Sequence, residues 1–303
     1  MSLICPICKS SSNFVFMEGI FDSEDTNVIE CDNCGMRFLD KLMSEEEETD
    51  FYRDYYKNQE NRQFQKCDLK FFQDRTYNEK AQDAEFYLEL MKDKKDVLDV
   101  GSGSGGFLRF IKEKAPDKNI HSVEISESNL KFLKDPLQNQ FQDVTFYNSI
   151  EEIKDKKFDF IASFGVLEHV RDTRTFIKQQ ADLLKDNSSN LLIGIPNKFA
   201  TLVHYFNLEE FKKFAYMKMH YYTFSEKSLN IIAEELDLEV KTFNYVQFFG
   251  LDNSLSWLKD REPRDFSYFT NTLSEETLNS FRKDMSKNKT TDFLLVVMKK
   301  KSV

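Results

Sequence analysis

No stretch of this 303-residue chain is apolar for long enough to cross a membrane. The longest runs, such as Phe293–Met298, have the length of a β-strand. The chain reaches Cys5 without a basic start and a long apolar stretch, so no secretory signal is expected and the cytoplasm is the expected compartment. Positive charge is also short. With 42 Lys and Arg against 52 Asp and Glu the net charge is −10, which argues against sequence-independent binding to a phosphate backbone and leaves only a local basic patch open. Glycine and proline are scarce, nine and five beside thirty Phe, and that balance excludes a disordered chain. No internal repeat is visible. The length suffices for one large domain and a small one.

Cysteine is rare too, yet four of the five fall in pairs: Cys5-Pro6-Ile7-Cys8 and Cys31-Asp32-Asn33-Cys34, separated by 22 residues. In a cytoplasmic protein two such knuckles read as a tetrahedral zinc site, with a redox pair as the alternative. Phe14–Glu30 is long enough for a hairpin that brings them together. Four cysteine ligands leave no position for water or substrate, so the zinc is expected to be structural. Cys67 is left over as a packed or surface thiol. Ser44 followed by Glu45–Glu48 marks a helix start, and the segment to Lys95 is charged and aromatic. Its aromatics fit helices packed on a main domain. Tyr52, Tyr55 and Tyr56 are candidates for a lid.

Asp96–Phe107, DVLDVGSGSGGF, organises the rest. A short apolar run leads into Gly101, Gly103, Gly105 and Gly106, and the helix-favouring segment Phe107–Lys114 follows. Strand, glycine turn and helix N-terminus form a nucleotide cradle. Gly101, Gly103 and Gly106 match the spacing of a dinucleotide-binding turn, and with Asp99 the same residues match the turn that binds S-adenosylmethionine. Further strands are expected at 120–124, 144–147, 158–163, 191–195, 238–245 and 293–298, with helices at 106–114, 128–134, 173–184 and 225–236. This alternation implies a parallel sheet covered on both faces. Glu124, ending the second strand, suits the hydroxyls of an adenosine ribose in either nucleotide. Ile125 offers an apolar face to adenine, and Ser149 and Ile150 stand where the adenine edge and ring would be met.

The run Phe158–Val170, FDFIASFGVLEHV, with Leu191–Asn197, LLIGIPN, resembles the class I S-adenosylmethionine-dependent methyltransferases. It is most similar to a bacterial subgroup with an N-terminal cysteine-rich zinc module that modifies sugars, often for surface polysaccharides. The likeness covers Asp96–Asn197 and, less closely, the cysteine module. It implies a Rossmann-like α/β fold: a seven-stranded, mostly parallel sheet whose last strand is antiparallel and inserted between its neighbours. A zinc-ribbon-like module (1–43) and a helical lid or linker (44–95) precede the main domain (96–303), which carries acceptor-covering insertions near 197–224 and 246–290. The resemblance further implies that Gly101, Gly103 and Gly105 line the methionine end of the cofactor, with Asp99 bracing the turn or reaching the amino group. Glu124 holds the ribose, and Phe164 and Gly165 lie beside the sulfonium. Ser149 stands where such enzymes often carry an acid, which loosens the reading of the adenine amine.

The sulfonium is already activated, so the protein has to align a nucleophile and take its proton. His169, past the fourth strand, and His220, in the excursion, are the candidate bases. His121 and His204 are expected to pack, and Glu168 to steer substrate or cap a helix. Tyr205, Phe206, Tyr216, Tyr221, Tyr222 and the insertion near Phe248–Trp257 would shape a pocket for a sugar ring or serve as core. Lys198, Lys212, Lys213, Arg261 and Arg264 would reach phosphates or remain surface. The expected acceptor is therefore a hydroxyl of a nucleotide-linked or phosphorylated sugar. An RNA methyltransferase with a zinc module, an NAD-dependent sugar-modifying enzyme and a non-catalytic cofactor-binding scaffold are the other readings.

Overall fold

The computed structural model describes residues 3–57 (side chains as far as Phe51), 69–136, 140–262 and 267–302. The expectations for Tyr52, Tyr55, Tyr56, Cys67 and Arg264 lie outside the described residues. A hairpin of β1 (Asn13–Met17) and β2 (Val28–Cys31) joins the two cysteine turns, and β3 (Arg37–Leu39) adds to it antiparallel. Helix α1 (Glu45–Lys57) starts with a reciprocal cap: Glu47 N–H donates to Ser44 Oγ (3.1 Å) and Ser44 N–H to Glu47 Oε2 (2.6 Å). Then come α2 (Leu69–Gln82) and α3 (Ala84–Met91).

Strands and helices next alternate: β4 (Asp96–Val100), α4 (Gly106–Lys114), β5 (Asn119–Val123), α5 (Glu127–Leu133), β6 (Thr145–Tyr147), β7 (Phe160–Phe164), α6 (Thr173–Leu183) and β8 (Asn190–Pro196). The excursion holds α7 (Thr201–His204), α8 (Glu209–Ala215) and β9 (Tyr222–Thr223). The chain continues with α9 (Glu226–Glu235), β10 (Leu238–Val246), α10 (Leu251–Asp260), α11 (Tyr268–Thr272), α12 (Glu275–Lys287) and β11 (Phe293–Lys300).

The main sheet runs β10-β11-β8-β7-β4-β5-β6, and β11 is antiparallel to both neighbours. This is the expected Rossmann-like sheet with its inserted last strand. The fourth parallel strand differs at its start: it runs from Phe160, and Phe158 makes only an isolated bridge to Leu184. Asp159 explains the shift. Its Oδ2 accepts the N–H groups of Lys95 and Asp96, both at 3.0 Å, so a side chain takes donors that open the neighbouring strand.

Because side chains alternate along β4, its two faces enter different cores. Leu98 and Val100 pack toward Phe224, Leu229 and the cysteine hairpin. Val97, and on its side Asp99, face the layer of Tyr87, Phe107 and Phe110. On that second face α2 lies directly on α4. A Cβ on Gly106 would stand 2.4 Å from Thr76 Cβ and 2.8 Å from the Gln73 carbonyl oxygen, so the close approach requires glycine. Gln73 Nε2 adds a hydrogen bond to the Ser104 carbonyl (3.0 Å), fixing α2 over the glycine turn.

The cysteine hairpin does not end with its own sequence. A second sheet runs β1-β2-β3-β9, its fourth strand supplied by Tyr222 and Thr223. Further bonds flank that pairing: Phe21 N–H to the Tyr216 carbonyl (3.0 Å), Lys218 N–H to Asp22 Oδ1 (2.9 Å), and Ser225 Oγ to the Cys34 carbonyl (2.5 Å). Buried Arg37 pairs with Glu30 (2.7 Å) and donates to Tyr216 Oη (2.8 Å) and the Lys198 carbonyl (3.1 Å). The segment from Tyr216 to Ser225 is thus held by the cysteine module along its length.

Candidate active site

The glycine turn opens a cleft of about 230 Å³ lined by Asp99, Gly101, Ser102, Gly103, Ser104, Phe107, Asn129 and Phe164, with Leu69, Phe72 and Thr76 of α2 as its far wall. Two glycines show why the turn needs them. Gly101 has φ +78°, and a Cβ there would lie 2.5 Å from Val166 Cγ2. Gly103 has φ +54°, and a Cβ there would meet nothing within 4 Å, because it would project into open space.

Asp99 is buried beside this space, and its Oδ2 has no partner among the described residues. Burial pushes its carboxyl up to about 7, against the pull of Ser102 and Lys80. Glu124 is buried at the neighbouring strand's tip. Its Oε2 accepts Gly103 N–H (2.6 Å) and its Oε1 accepts Ser126 N–H (2.8 Å), and burial raises its pKa. The Asn129 side chain and the Ile125 N–H add to the hydrogen bonds that hold this carboxylate.

Of the residues expected at the cofactor, Asp99, Gly101, Gly103 and Phe164 line the cleft, and Glu124 joins it through Gly103. Gly105, with φ +82°, caps α4 behind the turn. Ile125 is 70% exposed beyond Glu124, and Ser149 and Ile150 open a short 3₁₀ turn after β6; none of the three is among the residues lining the cleft. The wall supplied by α2 was not anticipated, although Phe72 and Thr76 stand four apart on one helical face. Lys80, also on α2, is only 2% exposed, and its ammonium lies 3.5 Å from the centre of the Phe164 ring. Desolvation lowers its pKa to about 8.

Gly165 (φ +65°) turns the chain out of β7, and the next turn, Leu167–His169, delivers Glu168 and His169. His220 arrives from the excursion and its ring meets that of His169 edge to face, centroids 4.8 Å apart. His169 Nδ1 contacts the Met219 carbonyl (2.9 Å) and His220 Nδ1 the Ala215 carbonyl (3.3 Å). A carbonyl can only accept, so each Nδ1 carries the proton and each Nε2 keeps its lone pair. Burial, then His220, lowers His169 to about 3, and burial lowers His220, so both rings are neutral. Glu168 is 2% exposed, its Oε2 has no partner among the described residues, and desolvation raises it to about 8. The two candidate histidines, 51 residues apart, therefore share one place with Glu168.

Other expectations change. Tyr216, Tyr221 and Tyr222 are buried core, Tyr216 bonded to Arg37 and Tyr222 donating to the Arg171 carbonyl (3.1 Å). Trp257 packs against Phe211 and Phe214, while Tyr205 and Phe206 are exposed. Lys198 is buried against Glu30 (2.7 Å) and the Gly35 carbonyl (2.6 Å), and Lys212 against Glu209 (3.0 Å), so neither is free for phosphate. His204 is exposed, with its ring edge to face against Phe199 and Tyr205 (centroids 5.0 Å each), and His121 stacks on Tyr147 as expected of a strand residue.

At the other end of the excursion the four paired cysteines converge. Cys5 and Cys34 Sγ lie 3.6 Å apart, Cys8 and Cys31 Sγ 3.5 Å, and all four lie within 4.8 Å of one another. Tetrahedral zinc, with Zn–S near 2.3 Å, sets sulfurs about 3.8 Å apart, so this donor set fits it.

A parallel sheet with an inserted antiparallel last strand, a glycine turn and an acid at the next strand's tip define a Rossmann-like α/β fold. Comparison with known proteins narrows the class. The sequence profile described as "Methyltransferase domain" matches residues 72–242, and the chain belongs to that family. It is 30% identical over 132 residues to the "Probable (S)-tetrahydroprotoberberine N-methyltransferase 2" of Papaver bracteatum, covering 40% of this chain and 35% of that one. The chain spans about a third of the length of the curated relatives it matches. In fold it is similar to the Burkholderia thailandensis 1,6-didemethyltoxoflavin-N1-methyltransferase, solved with that compound and S-adenosylhomocysteine (TM-score 0.51, 13% identity, 91% of this chain and 96% of that one). It is also similar to the plantazolicin methyltransferase solved with S-adenosylhomocysteine (TM-score 0.51, 13% identity, 84% and 93%). The chain therefore carries a methyltransferase domain, and its fold is the one seen in methyltransferases solved with S-adenosylhomocysteine. No helix among the described residues is long and apolar enough to cross a membrane.

Proposed function

We propose that the acceptor is a small molecule and, within that class, a hydroxyl of a nucleotide-linked or phosphorylated sugar of the kind used in surface-polysaccharide synthesis. The observation that carries this reading is the meeting of Glu168, His169 and His220 next to Gly165, where a hydroxyl would need activation. Glu168 Oε1 lies 3.8 Å from the position a Cβ on Gly165 would take. Exposed Tyr205 and Phe206 on the excursion offer faces for a sugar ring, and exposed Lys213 and Arg261 offer charge for phosphate. The net charge of −10 disfavours RNA. That a methyltransferase of similar fold was solved with bound 1,6-didemethyltoxoflavin fits a small acceptor.

The bound cofactor supplies an electrophilic methyl on sulfur. Asp99 would take its ammonium group with the unpartnered Oδ2, and Lys80 adds positive charge at the same corner for the carboxylate. Gly101 and Gly103 let the backbone approach the methionine end, with Gly105 starting the helix behind them. Glu124 would meet the ribose hydroxyls, Ile125 and Ile150 would flank the adenine, and Ser149 would meet its edge. Phe164 and Gly165 would border the sulfonium, and His169 and His220 would activate the nucleophile, in the simplest form as bases. The cysteine module would hold structural zinc.

Release of S-adenosylhomocysteine is measured across nucleotide sugars, phosphorylated sugars and RNA. Turnover with a sugar class, falling about 10²–10⁴-fold in the His169→Ala/His220→Ala double variant with cofactor affinity kept, is the expected result. Turnover with RNA alone, or full activity in the double variant, overturns it.

A further inference from the structure

We infer that Glu168, His169 and His220 form a binding site for a divalent transition-metal cation, separate from the four-cysteine cluster, whose open position takes an oxygen of the acceptor. One ligand atom from each of the three residues lies within 4.8 Å of the other two, and His169 Nε2 is 4.0 Å from Glu168 Oε1. Ligands about 2.0–2.1 Å from a tetrahedral cation stand about 3.4 Å apart, so closing on an ion asks for a contraction of about an ångström.

Three observations point to a cation, beyond mere proximity. Both imidazoles are tied by Nδ1 to backbone carbonyls, of Met219 and Ala215, and so keep their Nε2 lone pairs for a ligand, that of His169 lying 4.0 Å from Glu168 Oε1. A ring N–H held by a carbonyl is the usual outer support of a metal-bound histidine, because it fixes tautomer and orientation. Among the described residues Glu168 is 2% exposed, its Oε2 is unpartnered, and no Lys or Arg forms an ion pair with it. A buried carboxylate in that state is costly until something positive meets it. Finally, the set is mixed: two imidazoles and one carboxylate favour zinc, iron, cobalt or nickel over magnesium or calcium, and they leave coordination positions open. This differs in kind from the four thiols of the cysteine cluster, which close their site.

The location gives such a cation a task. Glu168 stands beside Gly165, next to Phe164 of the cofactor cleft. An acceptor hydroxyl bound to the cation becomes more acidic. Its proton passes to water, its oxygen forms the new bond to the methyl carbon, and the carbon–sulfur bond breaks to leave a neutral thioether. The binding of the cation stands on the geometry alone. Its role rests on the proposed acceptor reading, and it replaces the imidazole base with a metal-held nucleophile.

The test is titration of protein carrying one zinc per chain in its cysteine cluster with Co²⁺, followed by calorimetry and visible absorption. One further equivalent, with d–d bands and no thiolate-to-cobalt charge transfer, is the expected result. Glu168→Gln and His220→Asn should weaken it at least about 10²-fold while zinc content and S-adenosylhomocysteine affinity stay unchanged, which shows that the variants fold. No second equivalent, one that survives both substitutions, or one with thiolate bands overturns the site. If no cation binds but the histidine double variant loses turnover, the base reading stands and this inference fails. If Co²⁺ binds as expected and no sugar is methylated, the site stands and the acceptor reading fails.

Discussion

Two glycines two residues apart should fail in different ways. At φ +78° and +54°, Gly101 and Gly103 both occupy the left-handed region, where alanine costs about 1–2 kcal/mol. For Gly103→Ala that is the whole stability cost, since its Cβ meets nothing within 4 Å. The methyl instead intrudes on the cleft. Gly101→Ala adds a Cβ 2.5 Å from Val166 Cγ2, an overpacking worth about a further 1–3 kcal/mol. In the Val166→Ala background that extra part should vanish, giving a coupling that urea denaturation of the four proteins can measure. Ligand protection separates the two sites further. At S-adenosylhomocysteine equal to 100 times its wild-type Kd, about 2.7 kcal/mol of added stability is expected for wild type, and about half of that for Gly103→Ala if affinity falls tenfold. Equal protection of Gly103→Ala and wild type would refute the placement of the cofactor over this turn.

Protonation gives a second expectation. Asp99 and Asp292, both buried and both pushed up to about 7, hold protons in the folded chain over a range where the unfolded chain has lost them. Their contribution is full below about pH 4 and is lost as pH rises toward 7, so the urea midpoint of wild type relative to an Asp99→Asn/Asp292→Asn variant should fall across that window. Bound S-adenosylhomocysteine, with its ammonium near Asp99, should flatten the fall, and an unchanged slope would count against that contact. Removing the cation from the cysteine cluster should speed hydrogen exchange in Tyr216–Ser225 and leave the β4–α4 turn protected, since β9 is bonded to β3. Arg37→Met removes a buried cation bonded to Glu30, Tyr216 and the Lys198 carbonyl, and should cost about 3–5 kcal/mol in denaturant unfolding of zinc-loaded protein. A loss under 1 kcal/mol would show that Lys198 alone neutralises Glu30.

What could be read in the sequence follows what is local. The β4–α4 unit was legible to the residue, because a buried strand, a glycine turn and an apolar helix face are all written within twenty positions. The antiparallel β11 was legible from resemblance, and the cysteine pairing from spacing. β9 was not: two residues, Tyr222 and Thr223, carry no periodicity, and they are a strand only because β3 pairs with them. The same pairing carries His220 to His169. Lys198 and Lys212 looked like surface charge because nothing in a one-dimensional pattern places Glu30 against a lysine 168 positions away. The start of β7 was misplaced because Asp159, polar within an apolar run, takes backbone donors itself. Lys80 was hidden by its own chemistry, since lysine in a helix normally reads as solvent-facing.

The central claim is that the cleft between Asp99, Gly103 and Glu124 holds an adenosyl cofactor bearing a methionine end. Calorimetric titration of the zinc-loaded protein with S-adenosylhomocysteine and, separately, with a nicotinamide dinucleotide tests it most directly. One-to-one binding of the first, weakened at least about tenfold by Asp99→Asn, and no heat from the second, is the predicted result. Heat from the dinucleotide alone would contradict the account.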